Sequence, residues 1–279
     1  MKISPEGVVV LAASDMTHAL RCEWSFVRYL EWELGVGPEP QAEDDPMADI
    51  ASILGNQHEL VLLEKLRRDH GGDVAEITAP WDRESEPGKG YFDHLADAVT
   101  ETRRALDERT RVVFQAAFFD GSFQGFADFL VWNEQGFYEV YDSKLARSAK
   151  VPALLQLAAY AEQLNAMGVP VGDTVYLMLG TGETVDFSLA DISPAFGLRS
   201  RRLRQVVNQR TQASAAKNGP ARWTDGEYAF CGECPSCDQE IRAHDDLLQI
   251  AGIRRDQRAK IMDHGVLTME DFARFEGPI

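Results

Sequence analysis

No stretch of about 18 or more apolar residues occurs in the 279-residue chain, so no membrane-spanning segment is expected. The N-terminus, MKISPEGVVVLAASDM, has one lysine and a short apolar run, but not the longer apolar core of a secretory signal. A cytoplasmic protein is therefore expected. There is no internal repeat and no low-complexity tract. Positive charge is also in short supply. With 28 Lys and Arg against 45 Asp and Glu, the net charge is −17. A surface that binds nucleic acid over its whole extent is excluded, because phosphate contacts need Lys and Arg; a local basic groove is not. Cysteine is scarce: Cys22, Cys231, Cys234 and Cys237 are the four present. Three fall in one heptapeptide, a pattern that in a cytoplasmic chain favours metal or cluster ligation over disulfides.

What is present is an ordinary globular composition, 44% hydrophobic and 26% charged, long enough to bury a substantial core. Ser14 and Asp15 offer a cap for a helix running to Leu34, with Cys22 in its middle. A Pro-containing acidic loop, GVGPEPQAEDDP, precedes a helix over 47–70 with Ile50, Ile53, Leu54, Val61, Leu62 and Leu66 at helical spacing. A short strand over 73–78, an exposed loop at WDRESEPGKG and a helix over 92–109 follow. Strands are then expected over 111–120, 122–132 and 137–142, the first two joined at Asp120-Gly121. Pro152 opens a helix that ends at Gly168. Strands over 174–179 and 184–189 and a basic helix over 194–217 complete the core. An antiparallel meander followed by a crossover helix and strand implies a mixed sheet flanked by helices, an α/β fold.

The stretch GFADFLVWNEQGFYEVYDSK carries the chemistry. Asp128 and Asp142 can share a hard divalent cation, which prefers oxygen ligands. Lys144 lies two residues beyond Asp142 and so on the same strand face. A four-residue turn over 133–136 sets Asp128 against Tyr141; a five-residue turn or a β-bulge sets it against Asp142, and one of these two is the expectation. Gln156 and Tyr160, four apart on the next helix, share a face and are not needed for packing. In the helix over 47–70, His58 can supply a nitrogen ligand, while Glu59 points about 100° away from it. The strand residues alone also fit a surface hairpin with solvent-facing acids.

Taken in order, GNQHE, GFADF, YEVYDSK and QLAAY resemble the motifs of the PD-(D/E)XK nuclease superfamily, most closely its RecB-type branch. The resemblance spans about residues 10 to 240. It implies a restriction-endonuclease-like core and metal-dependent hydrolysis of DNA phosphodiesters, in exonuclease mode on single strands or ends, in DNA repair or recombination. Position by position it makes His58, Asp128 and Asp142 the ligands of Mg²⁺ or Mn²⁺, and Asp128, Asp142, Lys144, Gln156 and Tyr160 the catalytic set. Arg147 and Lys150 stand where DNA would enter.

Cys231, Cys234 and Cys237 in a Cys-x₂-Cys-x₂-Cys run suit an iron–sulfur cluster, with zinc as the rival and free thiols as the remaining reading. Some RecB-type and CRISPR-associated nucleases carry one N-terminal and three C-terminal cysteines on a 4Fe-4S cluster, and the resemblance implies that staple here with Cys22 as the fourth ligand. The last spacing is shorter than is common there. The segment IAGIRRDQRAKIMDHGVLTMEDFARF resembles a helix-hairpin-helix unit, in which Arg254, Arg255 and Arg258 suit DNA backbone contacts. Four regions are expected: a helical segment over 1–46, the nuclease core over 47–220, the cysteine cluster over 221–244 and the helix-hairpin-helix-like unit over 245–279. The resemblance also implies helicase or further nuclease modules as partners. A catalytically inactive iron–sulfur or zinc module that binds DNA or serves as a scaffold is the alternative, and a zinc-bearing protein-interaction module a third.

Overall fold

The computed structural model describes residues 1–41, 46–83 and 88–277. Positions 42–45 and 84–87, in the two predicted acidic loops, lie outside them. The chain divides into two compact units. One comprises Met1–Thr17 and Asp45–Arg204, the other His18–Asp44 and Gln205–Ile279.

The first unit is built on a mixed sheet. Its strands are β1 (Lys2–Ile3), β2 (Val9–Ala12), β3 (Val74–Glu76), β4 (Val112–Phe119), β5 (Phe123–Trp132), β6 (Tyr138–Lys144), β7 (Val171–Leu179) and β8 (Thr184–Ser188). β4, β5 and β6 form the expected antiparallel meander, and β6 pairs with β7 in parallel. A parallel pair needs a crossover, and helix α5 (Val151–Ala166) supplies it. Helix α4 (Tyr91–Asp107) does the same between the parallel strands β3 and β4. Both faces of the central strands are covered, so even consecutive residues are apolar and buried: Val112, Phe129, Leu130, Val140 and Leu177 are all fully buried.

The strand β5 has an unusual edge. Near its start, Phe123 and Gln124 pair with Leu11 and Ala12 of β2; near its end, Phe129 to Trp132 pair with Tyr141 to Tyr138 of β6. Two strands therefore share one edge of β5, and residues 125–128 lie between their pairing regions. Tyr160 of α5 packs into that gap. Its ring stacks on Phe118 at 5.7 Å, and a Cβ on Gly125 would stand 2.6 Å from its Cε1. Tyr160 is thus a core residue, against the expectation that it is free of packing duty.

Helix α3 (Ala48–Asp69) forms where expected but buries only part of the expected stripe. Leu63, with Leu62 and Leu66, packs on Val112, Phe129 and Met178. Leu54 and Val61 stay 48% and 67% exposed. The single helix expected over the N-terminal segment is two, α1 (Ala13–Arg21) and α2 (Glu23–Glu33). Cys22 interrupts it in an extended conformation, and its sulfur accepts the Ser25 amide as the cap of α2. Asp15 lies inside α1, where it accepts the Ala12 amide at 2.7 Å and pairs with the N-terminal ammonium at 2.8 Å. Helix α6 (Leu189–Ala215) starts five residues before Pro194, at Ser188, whose hydroxyl accepts the Ala190 amide. No helix among the described residues is long and apolar enough to cross a membrane.

The second unit holds α2, the end of α6, α7 (Pro235–Ala243), α8 (Arg255–Met262) and α9 (Met269–Arg274). Glu31 of α2 is fully buried and is neutralised by Arg210 at 2.6 Å and by Arg28. The last two helices enclose a small core of Leu247, Ile261 and Val266. Gly252 and Gly265 turn the chain before and after α8 with φ of +78° and +79°, as the predicted pair of turns requires.

Gly125→Ala is expected to destabilise the protein by about 1–3 kcal/mol, because the new methyl meets a ring fixed on three sides. A urea titration reads this as a lower midpoint at unchanged slope. An unaltered midpoint would mean that Tyr160 moves freely.

Candidate functional site

The register of the hairpin decides which side chains meet. Phe129 opposes Tyr141 and Trp132 opposes Tyr138, so five residues, Asn133 to Phe137, form the turn. Continued by one step, this register sets Asp128 against Asp142, as expected. Opposed residues of an antiparallel pair share a face, so the two carboxylates do too. The Ser143 amide donates to Asp128 Oδ2 at 2.8 Å, and the Ser143 hydroxyl does so at 2.9 Å. Lys144 Nζ donates to Asp142 Oδ1 at 2.8 Å and stands 2.6 Å from Oδ2, which has no directed hydrogen bond of its own.

Asp142 is fully buried. Burial, then the neighbouring Asp128, pushes its carboxyl up to about 7 against the pull of Lys144. Burial also raises Asp128 above the usual carboxylate range, although Lys144 and Ser143 oppose it. Lys144 loses by burial and gains more from Asp142, Asp128 and Glu59, so its ammonium is held more firmly than in water.

Glu59 of α3 is the third acid of the cluster. Burial and then Asp128 push it up to about 7. The charges acting most on Asp142 are those of Asp128, Lys144 and Glu59. His58, the expected ligand, has Nε2 buried with no hydrogen-bond partner, as an unoccupied nitrogen ligand would. The signal for Glu59 lay in helix phase. Glu59 is four residues before Leu63 and seven before Leu66, on the stripe that packs on the sheet. His58 is four residues before Leu62, which packs on the same hydrophobic cluster, and three before exposed Val61, so it sits at the margin of that stripe.

Gln115 is a second residue that sequence reasoning passed over. It falls opposite Asp128 in the β4–β5 register, where the pairing skips it, and its φ is +54°. A left-handed conformation at a non-glycine strand residue costs of the order of 1–3 kcal/mol. Its side-chain amide donates to Glu59 Oε1. Gln156 Nε2 donates to Tyr160 Oη at 3.2 Å, and Tyr160 is also bonded to the Phe126 backbone, two residues before Asp128. Arg147 and Lys150 are exposed, with no ion pair among the described residues.

Three carboxylates and a lysine on rigid elements form an oxygen-rich donor set of the kind that holds Mg²⁺ or Mn²⁺. The unpartnered His58 Nε2 and the raised acids, which share the single ammonium of Lys144, are what a missing cation would leave behind. Among the described residues, however, the set of candidate ligands drawn within 4.8 Å of one another is the four cysteines, and the carboxylates do not close to that spacing.

The four cysteines come together within the second unit. Cys22 Sγ lies 3.5 Å from Cys237 and 3.7 Å from Cys234, and Cys231 lies 3.9 Å from Cys237. Sulfurs on one tetrahedral zinc, with bonds of about 2.3 Å, stand about 3.8 Å apart. On a 4Fe-4S cluster each thiolate binds a different iron, which spreads the sulfurs further than one ion does. The spacing therefore fits a single ion. The hydrogen bond to Cys234 pushes Cys22 up to about 11, while Cys234 is held well below the usual thiol range by its bonds to Cys22 and Cys237.

The C-terminal arginines are mostly committed. Arg258 Nε donates to Asp246 at 2.7 Å, and that buried carboxylate also accepts the Trp223 indole and the Leu248 amide. Burial alone would raise Asp246; these bonds outweigh it and hold it low. Arg255 bonds the Phe230 carbonyl, and exposed Arg254 pairs with Asp256 at 3.0 Å.

Residues 10–239 match the family described as the PD-(D/E)XK nuclease superfamily. A comparison with curated proteins finds no match. Among solved structures, a candidate exonuclease of Eubacterium rectale is similar at 12% identity and a TM-score of 0.41, covering 91% of this chain and 100% of that one. At that score the likeness carries nothing about activity.

Glu59 and Asp142 hold their protons in the folded state up to about pH 7 but release them near the ordinary carboxylate value when unfolded. The folded state thus binds more protons between these values, and metal-free protein should lose stability as pH rises from about 4 to about 7. Urea midpoints across that range should show the decline, and Glu59→Gln and Asp142→Asn should each flatten it. A midpoint that rises over the same range would contradict the placement of both acids.

Proposed function

The chain belongs to the PD-(D/E)XK nuclease superfamily, and on that premise we propose that it is a Mg²⁺- or Mn²⁺-dependent deoxyribonuclease of RecB type, acting as an exonuclease on single strands or ends in DNA repair or recombination. The observation that carries this reading is the buried Asp128–Asp142 pair with Lys144 bonded to one acid and Glu59 raised by the other. Asp128, Asp142 and Glu59 would hold the cation, Glu59 taking the place expected for His58. When bound, a cation of this kind lowers the pKa of its water and polarises the scissile phosphate.

The side chains do the rest. Lys144 fixes Asp142 and presents its ammonium to the phosphate oxygen on which charge develops. Gln115 orients Glu59 from the opposite strand. Tyr160 anchors the Gln156 amide beside the same strand and is a positioning residue. Arg147 and Lys150 offer phosphate contacts on the connection that leaves β6. Arg254 and Arg255 are assigned weaker backbone contacts, and Arg258 the support of Asp246. Helicase or further nuclease modules remain its proposed partners. The four thiols we assign to one structural zinc, the alternative to a 4Fe-4S cluster, on their sulfur spacing. The bound ion would tie α2 to the turn before α7 and so hold the second unit together.

On a 5′-labelled single strand with Mn²⁺, Lys144→Ala and Asp142→Asn should lower kcat by about 100-fold or more. Glu59→Ala should match them, and His58→Ala should stay within about tenfold of the parent. The reverse order would return the ligand role to His58, and equal rates in parent and Lys144→Ala would remove the site.

Elemental analysis should find one zinc per chain in a colourless protein, and Cys22→Ser should lower its melting temperature. A brown protein absorbing at roughly 400 nm and rich in iron would restore the cluster.

A further inference from the structure

A cleft of about 440 Å³ reaches the acid cluster at Glu59, which lines it together with Gln115. Trp81 lines it too, together with the apolar side chains of Ile77 and Phe114. Trp81 is 50% exposed, which is costly for the largest apolar side chain. It is nevertheless held in one orientation. Its ring meets that of Phe126 edge-on, with centroids 4.8 Å apart. Phe126 shares a strand face with Asp128, two residues away and so about 7 Å along β5. Trp81 therefore rests, through Phe126, on the strand that carries Asp128.

The charge of the cleft narrows what it can hold. Three acids, Glu59, Glu76 and Asp82, line it, Glu76 being paired with Arg67, and among the described residues no Lys or Arg lines it. A phosphate would be repelled there, whereas a neutral flat ring is not. Asn56, Thr78 and Gln115 offer amide and hydroxyl groups to the edge of such a ring. A base inside a duplex has both faces covered by its neighbours; only an unpaired base can lay a face on an aromatic side chain.

We infer that the Trp81 cleft binds an unpaired nucleobase of the strand whose phosphate lies at Asp128 and Asp142, and that it makes the site select single-stranded over duplex DNA. This rests on the nuclease reading above. Stacking accepts every base, so the cleft selects strandedness and not sequence. Glu59 belongs to both subsites: its carboxylate faces the cation on one side and closes the base cleft on the other.

Binding of a fluorescein-labelled oligo(dT) strand, and of a duplex of equal length, is followed by anisotropy with Ca²⁺ in place of Mn²⁺. Trp81→Ala should weaken single-strand binding roughly tenfold and leave duplex binding nearly unchanged. Trp81→Phe, which keeps a stacking face, should recover most of the loss. In cleavage assays Trp81→Ala should raise KM for single strands while kcat stays within about twofold. Equal losses on single strand and duplex, or no loss on either, would overturn the inference. A parent protein that binds oligo(dT) through Trp81 yet cuts nothing would sink the nuclease reading and keep the cleft. A parent that cuts while Trp81→Ala binds as tightly as it does would do the opposite.

Discussion

Two carboxylates held at one level across β5 and β6, Asp142 fully buried and Asp128 partly so, are the constraint from which the rest of the first unit follows. Their mutual repulsion and desolvation favour any arrangement that brings a cation between them. Lys144 is the cation the chain itself provides. The sheet accommodates the group by parting. β5 pairs with β6 only as far as Phe129, β6 runs on beside β7 to Lys144, and the start of β5 pairs with β2. The Ser143 amide donates to the side chain of Asp128 at the point where the ladder with β5 has ended. The acids therefore sit where two strands diverge, and a substrate can approach there without breaking a ladder.

This arrangement is held against several local costs. Acids with raised affinity for protons, a strand glutamine at φ +54° and a tryptophan left half in solvent all lower the stability of the metal-free protein. All three lie in or beside one cluster, as expected when strain and unmatched charge serve a bound ligand. The surroundings are stiff enough to sustain them. Tyr160 fills the gap in the β5 edge, and Leu63 pins α3 to the sheet one turn beyond Glu59. The second unit applies a different solution. Its buried charges, Glu31 and Asp246, are fully partnered by arginines, and its four sulfurs converge at single-ion spacing.

Much of this was legible in the residues. The alternation over 122–142 located the hairpin, the demand that two acids share a face required a five-residue turn or a bulge, and the hairpin and the longer turn are found. The order of the four motifs pointed to the superfamily. Four cysteines without disulfide spacing pointed to a metal, and they converge. Other features were hidden because the sequence pattern admits two answers. The apolar residues of α3 define two overlapping stripes, one through Leu54 and Val61, the other through Leu63 and Leu66 with Glu59, and His58 lies at the margin between them. Periodicity cannot choose between them, because the choice depends on which stripe meets the sheet. Cys22 looked like a mid-helix residue because nothing local marks a break. The break comes from its turning toward sulfurs more than 200 residues away.

By itself, then, the sequence determined the elements, their order and the hairpin register, since each rests on spacing within a few residues. Tertiary structure alone decided which face of α3 looks inward, and so that Glu59 stands close enough to the aspartates to feel their charge. It also decided that Tyr160 is packed into β5, that Gln115 bears the left-handed turn opposite Asp128, and that Trp81 stands braced beside them. Each of these depends on contacts between segments far apart in the chain, where burial and crowding, not local propensity, set the outcome.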